Sequence, residues 1–127
     1  MKKKKEKILI IEDEDSIRNA LKDKLVEVGF LVLEAKNGEE GFNIAVQEQP
    51  DLILLDLIMP VMDGVSTLRR IRIDRWGKDV KVIILTNLSD NERVADCLSL
   101  GARIFLVKTD WKLEEVVIKI KGLLNKK

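Results

Sequence analysis

A chain of 127 residues, 46% of them apolar and 35% charged, has the size of one domain and can bury roughly two thirds of its unfolded surface. A net charge of +1 argues for neither a nucleic acid nor a membrane surface as direct partner, and no apolar run approaches the ~18 residues of a membrane span. The lone Cys97 excludes an internal disulfide, fits a reducing compartment and reads as a small core residue.

The chain opens on a basic run, Lys2 to Lys5, within a tail covering residues 1–6. No apolar segment follows that would make it a signal peptide, so a solvated tail and a cytoplasmic location are expected. The charged fraction lies above the usual ~25%, a faint hint of a heat-adapted source. Ile8-Leu9-Ile10-Ile11 is the first of four short apolar runs, and such runs suit strands buried on both faces. A first helix is expected from about Asp15 to Val28, with Ile17, Leu21, Leu25 and Val28 inward and Gly29 as its stop. Phe30 to Leu33 reads as a short second strand. Asn37 with Glu40 three residues on opens a second helix toward Gln49, ended by Pro50.

Leu52-Ile53-Leu54-Leu55 is the third strand, closed by Asp56 and the turn Leu57-Ile58-Met59-Pro60-Val61-Met62-Asp63-Gly64. A third helix runs from about Gly64 to Ile73, with Val65, Leu68 and Ile71 inward, and Asp63-Gly64 serves as its turn and start. Val82-Ile83-Ile84-Leu85 is a fourth strand, and a fourth helix spans about Asp90 to Leu100, stopped by Gly101. Ile104-Phe105-Leu106-Val107 is the fifth strand, and a fifth helix covers about Leu113 to Leu124. Five βα units in order predict a parallel sheet with right-handed crossovers. The expectation is a single domain over residues 1–127 with no output domain. Trp76 and Trp111 are read as edge-packing aromatics.

The strand endings carry the chemistry. Strand 1 runs into Glu12-Asp13, strand 3 into Asp56, strand 4 into Thr86 and strand 5 into Lys108. In open α/β sheets, ligands sit outside the carboxyl ends of the strands, and these polar endings fall on that edge. Glu12-Asp13 could alternatively cap the first helix, as could Asp15. Brought together, Glu12, Asp13 and Asp56 repel, which leaves two resolutions: a raised proton affinity or a bound cation. With oxygen donors only and no histidine, the cation is hard, and Mg²⁺ suits best. Lys108 adds a positive charge and Thr86 a hydroxyl donor. A carboxylate, Mg²⁺, an amine and a hydroxyl together can accept a phosphoryl group: Asp56 attacks phosphorus while its neighbours take the charge on the equatorial oxygens.

With these residues the chain resembles, over nearly its whole length, the receiver domains of two-component response regulators. The resemblance rests on Glu12-Asp13, Asp56, Met59-Pro60-x-Met62-Asp63-Gly64, Thr86 and Lys108, in that order and spacing. It implies a doubly wound, flavodoxin-like α/β fold with five helices and a five-stranded parallel sheet in the order 2-1-3-4-5. It further implies that Asp56 is the phospho-acceptor. Asp13 and Asp56 would ligate Mg²⁺ directly, with the backbone carbonyl of Ile58, and Glu12 through water. Thr86 and Lys108 would sense the phosphate, and Phe105 stands where the family carries its rotating aromatic. The donor would be a histidine kinase or histidine phosphotransfer protein. The chain would catalyse only phosphoryl transfer to its own aspartate and its slow hydrolysis.

Two positions depart from the family pattern. Thr109 follows Lys108 where the family usually has proline on a cis peptide. A cis bond before a non-proline costs ~2.5–4 kcal/mol, so a trans bond and a rearranged loop through Asp110-Trp111 are expected, and the aim of Lys108 depends on that loop. Asn87 stands where a very small residue is usual, and Ile58 and Leu88 are apolar at positions that, by resemblance, modulate phosphoryl lifetime. Output is expected through the face of helix 4, strand 5 and helix 5, toward a downstream protein or a second copy. Ile118 lies off the inward stripe of helix 5 and marks a contact there. Two other readings stand beside this one: a receiver-like scaffold that works without phosphorylation, and a phosphatase of the haloacid-dehalogenase type. The second needs an acid two residues after the nucleophile, where Ile58 stands. A flavin or nucleotide site on the same fold would need a glycine-rich loop after strand 1, which is missing.

Overall fold

Apolar strands that alternate with amphipathic helices are stable only when both sheet faces are covered, and the computed structural model shows how this chain covers them. It describes residues 5–86, 91–108 and 111–125. The strands are β1 (Lys7–Ile11), β2 (Leu31–Ala35), β3 (Leu52–Asp56), β4 (Lys81–Thr86) and β5 (Ile104–Val107). All pair in parallel, in the order β2-β1-β3-β4-β5, as the resemblance implies. The helices are α1 (Asp15–Glu27), α2 (Gly38–Glu48), α3 (Gly64–Ile73), α4 (Asn91–Ser99) and α5 (Leu113–Leu124).

The two-residue period of the strands divides the core in two. Leu9, Ile11, Ile53, Leu55 and Ile84 face α2, α3 and α4, where Ala45, Leu68, Ile71 and Cys97 meet them. Ile8, Ile10, Leu52, Leu54 and Leu85 face Leu21 and Leu25 of α1 and Val116, Val117 and Ile120 of α5. Every residue of the central β3 is buried, and each leucine or isoleucine there contributes roughly 1.5–3 kcal/mol by leaving water. Cys97 is fully buried and its thiol is pushed up to about 11, chiefly by burial, which fits its reading as core. Trp76 and Trp111 each pack, half-buried, against one of the two clusters. Among the described residues, no helix is long and apolar enough to cross a membrane.

Helix starts follow the expected capping chemistry in two places. Asn37 accepts from the Glu40 amide at 2.9 Å and Asp63 from the Ser66 amide at 2.8 Å. The first helix starts at Asp15 as expected, but its N-cap is Glu14, and that side chain makes no capping bond. Instead the Glu12 carboxylate accepts from the Glu14 amide at 2.9 Å. The second strand is also displaced, to Leu31–Ala35, because its pairing with β1 runs from Leu31 opposite Lys7 to Ala35 opposite Ile11. A glutamate, Glu34, is tolerated there because this is an edge strand and cations of α1 meet it. The first helix stops at Glu27, the fourth at Ser99, and the start expected at Asp90 lies outside the described residues. A 3-10 turn at Trp76–Lys78, unforeseen from the sequence, is tied down by Arg72. The guanidinium donates to the carbonyls of Leu100, Gly77 and Val80 at 2.6, 2.9 and 2.7 Å.

The β3–α3 loop holds two unusual backbone positions. Gly64 lies so near the end of β3 that a Cβ would come within 2.3 Å of the Asp56 carbonyl oxygen, so no side chain fits. Val61 adopts φ of 71° with 74% of its surface exposed, a left-handed conformation that strains a β-branched residue. Val61→Gly is expected to raise stability by about 1 kcal/mol, read as a higher urea midpoint at unchanged slope.

Candidate functional site

Parallel register brings the carboxyl ends of β1, β3, β4 and β5 to one edge. Ile11 pairs with Leu55, Asp56 with Leu85, and Thr86 with Val107, so the residues that follow meet at one lip. Glu12 is held by its amide, which donates to the Ala35 carbonyl at 3.0 Å. Lys108 is held likewise, its amide donating to the Thr86 carbonyl at 2.8 Å. These main-chain bonds aim the side chains.

Glu12 and Asp56 are buried, with 0% and 2% of their surfaces exposed, and Asp13 is half-buried beside them. Carboxylate oxygens of all three lie within 4.8 Å of one another. The Lys108 amine lies 3.0 Å from Glu12 Oε1 and 3.0 Å from Asp56 Oδ2, with Glu14 Oε1 farther off at 3.6 Å. Beyond these ion pairs, neither of those two oxygens has a hydrogen-bond partner among the described residues. Asp56 Oδ1 accepts a long bond, 3.3 Å, from the Ile58 amide. Buried, underused oxygens facing one another across less than 5 Å fit a hard cation, and the donor set matches Mg²⁺ better than a softer metal.

Burial is the main cause that raises the proton affinity of Asp56, to about 7, with the Glu12 charge adding to it and Lys108 opposing. Burial also raises Glu12, against the Glu14 amide and Lys108. Burial would lower Lys108, but the two carboxylates outweigh it and hold the amine charged. One ammonium between two buried carboxylates leaves a net negative pocket. A raised proton affinity and a place for a cation are therefore both present.

The remaining sequence-predicted residues fall as follows. Thr86 is buried at the end of β4. Phe105 pairs with Ile84, two residues before Thr86, so the aromatic and the hydroxyl share a sheet face; the ring is half-buried against the cluster under α2, α3 and α4. Ile58 follows the strand with half its surface exposed, and Ile118 is 67% exposed on α5. Asn87, Leu88, Thr109 and Asp110 lie outside the described residues. The Lys108 amine reaches both carboxylates and its amide is bonded to Thr86; the peptide and loop expected to bear on its aim, at Thr109 and Asp110, lie outside the described residues.

Two residues were missed by sequence reasoning. Glu14 was not singled out, although its carboxylate lies 3.6 Å from the Lys108 amine. Arg18 is 6% exposed inside α1; its Nη1 donates to the Glu12 carbonyl at 2.9 Å and its Nε to Glu34 at 3.3 Å, while Nη2 pairs with Asp15. Its spacing with Leu21 and Leu25 on the inward stripe was the available signal.

Comparison with known proteins agrees with this geometry. The family described as response regulator receiver domain matches residues 8–121. The probable transcriptional regulator ycf27 of Guillardia theta is 39% identical over 122 residues, 96% of this chain and 46% of that protein. The chain thus spans about half the length of the curated relatives it matches. Among solved structures, chemotaxis protein CheY4 of Vibrio cholerae superposes with a TM-score of 0.88 at 27% identity, covering 95% of this chain and 100% of that one. The receiver domain of the sensor histidine kinase PA1611 of Pseudomonas aeruginosa gives 0.87 at 27% identity, over 97% of this chain and 100% of that one; its structure has a magnesium ion coordinated in the active site cleft.

The folded protein favours protonated Asp56 up to about pH 7, against 3.8 for an ordinary aspartate, so ionising it costs stability as pH rises through that window. Urea unfolding of the metal-free protein at about pH 5 and about pH 7.5 is expected to show this loss, and Asp56→Asn to remove most of it, with a gain on the order of 1–3 kcal/mol at the higher pH.

Proposed function

This chain belongs to the response regulator receiver domain family, and from that premise we propose that it is a signalling switch driven by phosphorylation of Asp56. The observation that carries the reading is the triangle of Glu12, Asp56 and the Lys108 amine, with Asp13 completing the acid cluster. A carboxylate held at this lip needs no general base. One Asp56 oxygen attacks phosphorus, the bond from phosphorus to the donor imidazole nitrogen breaks, and the electron pair returns to that imidazole, which takes up a proton. These 127 residues hold no histidine, so the donor histidine lies outside them, in a histidine kinase or a histidine phosphotransfer protein.

Asp13 and Asp56 would hold Mg²⁺ with the Ile58 carbonyl, and Glu12 would act through water. Bound there, the ion supplies positive charge to balance the carboxylates and the phosphoryl oxygens. Lys108 pairs with the same oxygens, and the Thr86 hydroxyl donates to one of them. Drawing Thr86 toward the phosphoryl group changes the space beside Phe105 on their shared face. That biases the surface of α4, β5 and α5, a local charge event acting on a two-state element. Ile118 would mark the surface where a downstream protein or a second copy docks. The chain's own chemistry would be limited to accepting the phosphoryl group and slowly losing it, in the cytoplasm. The transcriptional regulators it resembles are about twice its length, so direct contact with nucleic acid is not assigned to this chain. The phosphatase reading is disfavoured by Ile58, which offers no acid. The scaffold reading is disfavoured by a charge cluster that is costly to keep without a use.

Incubation with acetyl phosphate followed by intact-mass measurement is the direct test. One phosphoryl adduct that requires both Mg²⁺ and Asp56 is expected, none in Asp56→Asn, and a slower rise in Lys108→Ala; an unmodified protein that folds and binds Mg²⁺ favours the scaffold. Ile118→Asp is expected to keep the adduct while weakening any phosphorylation-dependent self-association measured by sedimentation.

A further inference from the structure

A buried arginine in a helix interior is costly unless its donors are used, and Arg18 uses its donors on three separate elements. Nη1 donates to the main-chain carbonyl of Glu12 at 2.9 Å, Nε to Glu34 of β2 at 3.3 Å, and Nη2 pairs with Asp15 of its own helix. Lys22 reaches Glu34 from the same helix at 3.2 Å, so the α1–β2 link does not depend on Arg18 alone. The contact with Glu12 is different in kind. The Glu12 amide is already fixed by the Ala35 carbonyl at 3.0 Å, and Arg18 fixes the carbonyl at the other end of the residue. With that oxygen held, the plane of the Glu12–Asp13 peptide is held too, and with it the direction in which the half-buried Asp13 leaves the main chain.

We propose that Arg18 is a positioning residue for the acidic site: by clamping the Glu12 carbonyl it sets where Asp13 projects and so governs the affinity for Mg²⁺. The inference rests on the reading of Glu12, Asp13 and Asp56 as the Mg²⁺ site. An arginine that served only to tie α1 to β2 would affect stability without touching the metal.

Mg²⁺ titration by calorimetry on the wild type, Arg18→Met, Arg18→Lys and Glu34→Gln separates the two roles, with urea unfolding run in parallel. Loss of an outer partner of a metal ligand typically weakens binding about 10–100-fold, and Arg18→Met is expected to fall in that range. Arg18→Lys, which keeps a single donor near the carbonyl, is expected to fall between Arg18→Met and the wild type. Glu34→Gln is expected to lose stability but to bind Mg²⁺ as the wild type does. A folded Arg18→Met protein with wild-type affinity would overturn the proposal while leaving the switch reading intact. If Arg18→Met does not fold, Arg18→Lys decides: affinity weakened several-fold supports the clamp, and unchanged affinity refutes it. A wild type that takes up no Mg²⁺ overturns the metal reading itself, and the clamp with it.

Discussion

Two carboxylates, Glu12 and Asp56, sit almost without solvent on either side of one lysine amine, and the rest of the fold can be understood as what keeps them there. Carboxylates driven together out of water resist in two ways: each loses hydration, and each repels the other. Lys108 answers half of that cost at 3.0 Å from each. The unanswered half is stored in a pocket ready to take a proton, a cation or a group that brings cations with it. A site of this kind is poised because it is underpaired.

The scaffold supplies the force. Strands β1, β3 and β4 are buried along almost their whole length, and their apolar side chains make slippage costly, since a one-residue shift would turn each core face toward the opposite layer. The carboxyl ends are therefore fixed in register, and a residue one step beyond a strand inherits that precision. Glu12, Leu57 and Lys108 each continue the ladder by one main-chain bond past the assigned strands. Function is written at the last rungs: Asp56 and Thr86 close their strands, and Glu12 and Lys108 stand one step beyond theirs.

Much of this was legible in the sequence because the signals were periodic. Runs of Ile, Leu and Val marked the four buried strands within a residue or two, and the polar endings marked the site without knowledge of strand order. The order itself came from resemblance, since nothing in local composition says which strand lies beside which. The second strand was displaced because an edge strand admits a glutamate, and Glu34 reads as a break in the pattern until its cations are known. Arg18 was missed for a similar reason. An arginine on an amphipathic helix reads as solvent-facing, and only three-dimensional packing shows its guanidinium turned inward to a carbonyl. Val61 was illegible because backbone sign is not encoded in a valine, which ordinarily avoids the conformation the loop imposes. For Lys108 the sequence drew attention to Thr109 after it, whereas the described contact that holds its main chain is with the strand beside it, through the Thr86 carbonyl.

That last point reaches beyond geometry. The Lys108 amide is bonded to the carbonyl of Thr86, the residue whose hydroxyl stands at the same lip. Thr86 and Lys108 are therefore joined through their main chains, with no ligand between them. The two strand tips are tied at one rung, so in the proposed switch a pull on the Thr86 hydroxyl and a pull on the Lys108 ammonium would both load the same β4–β5 bond.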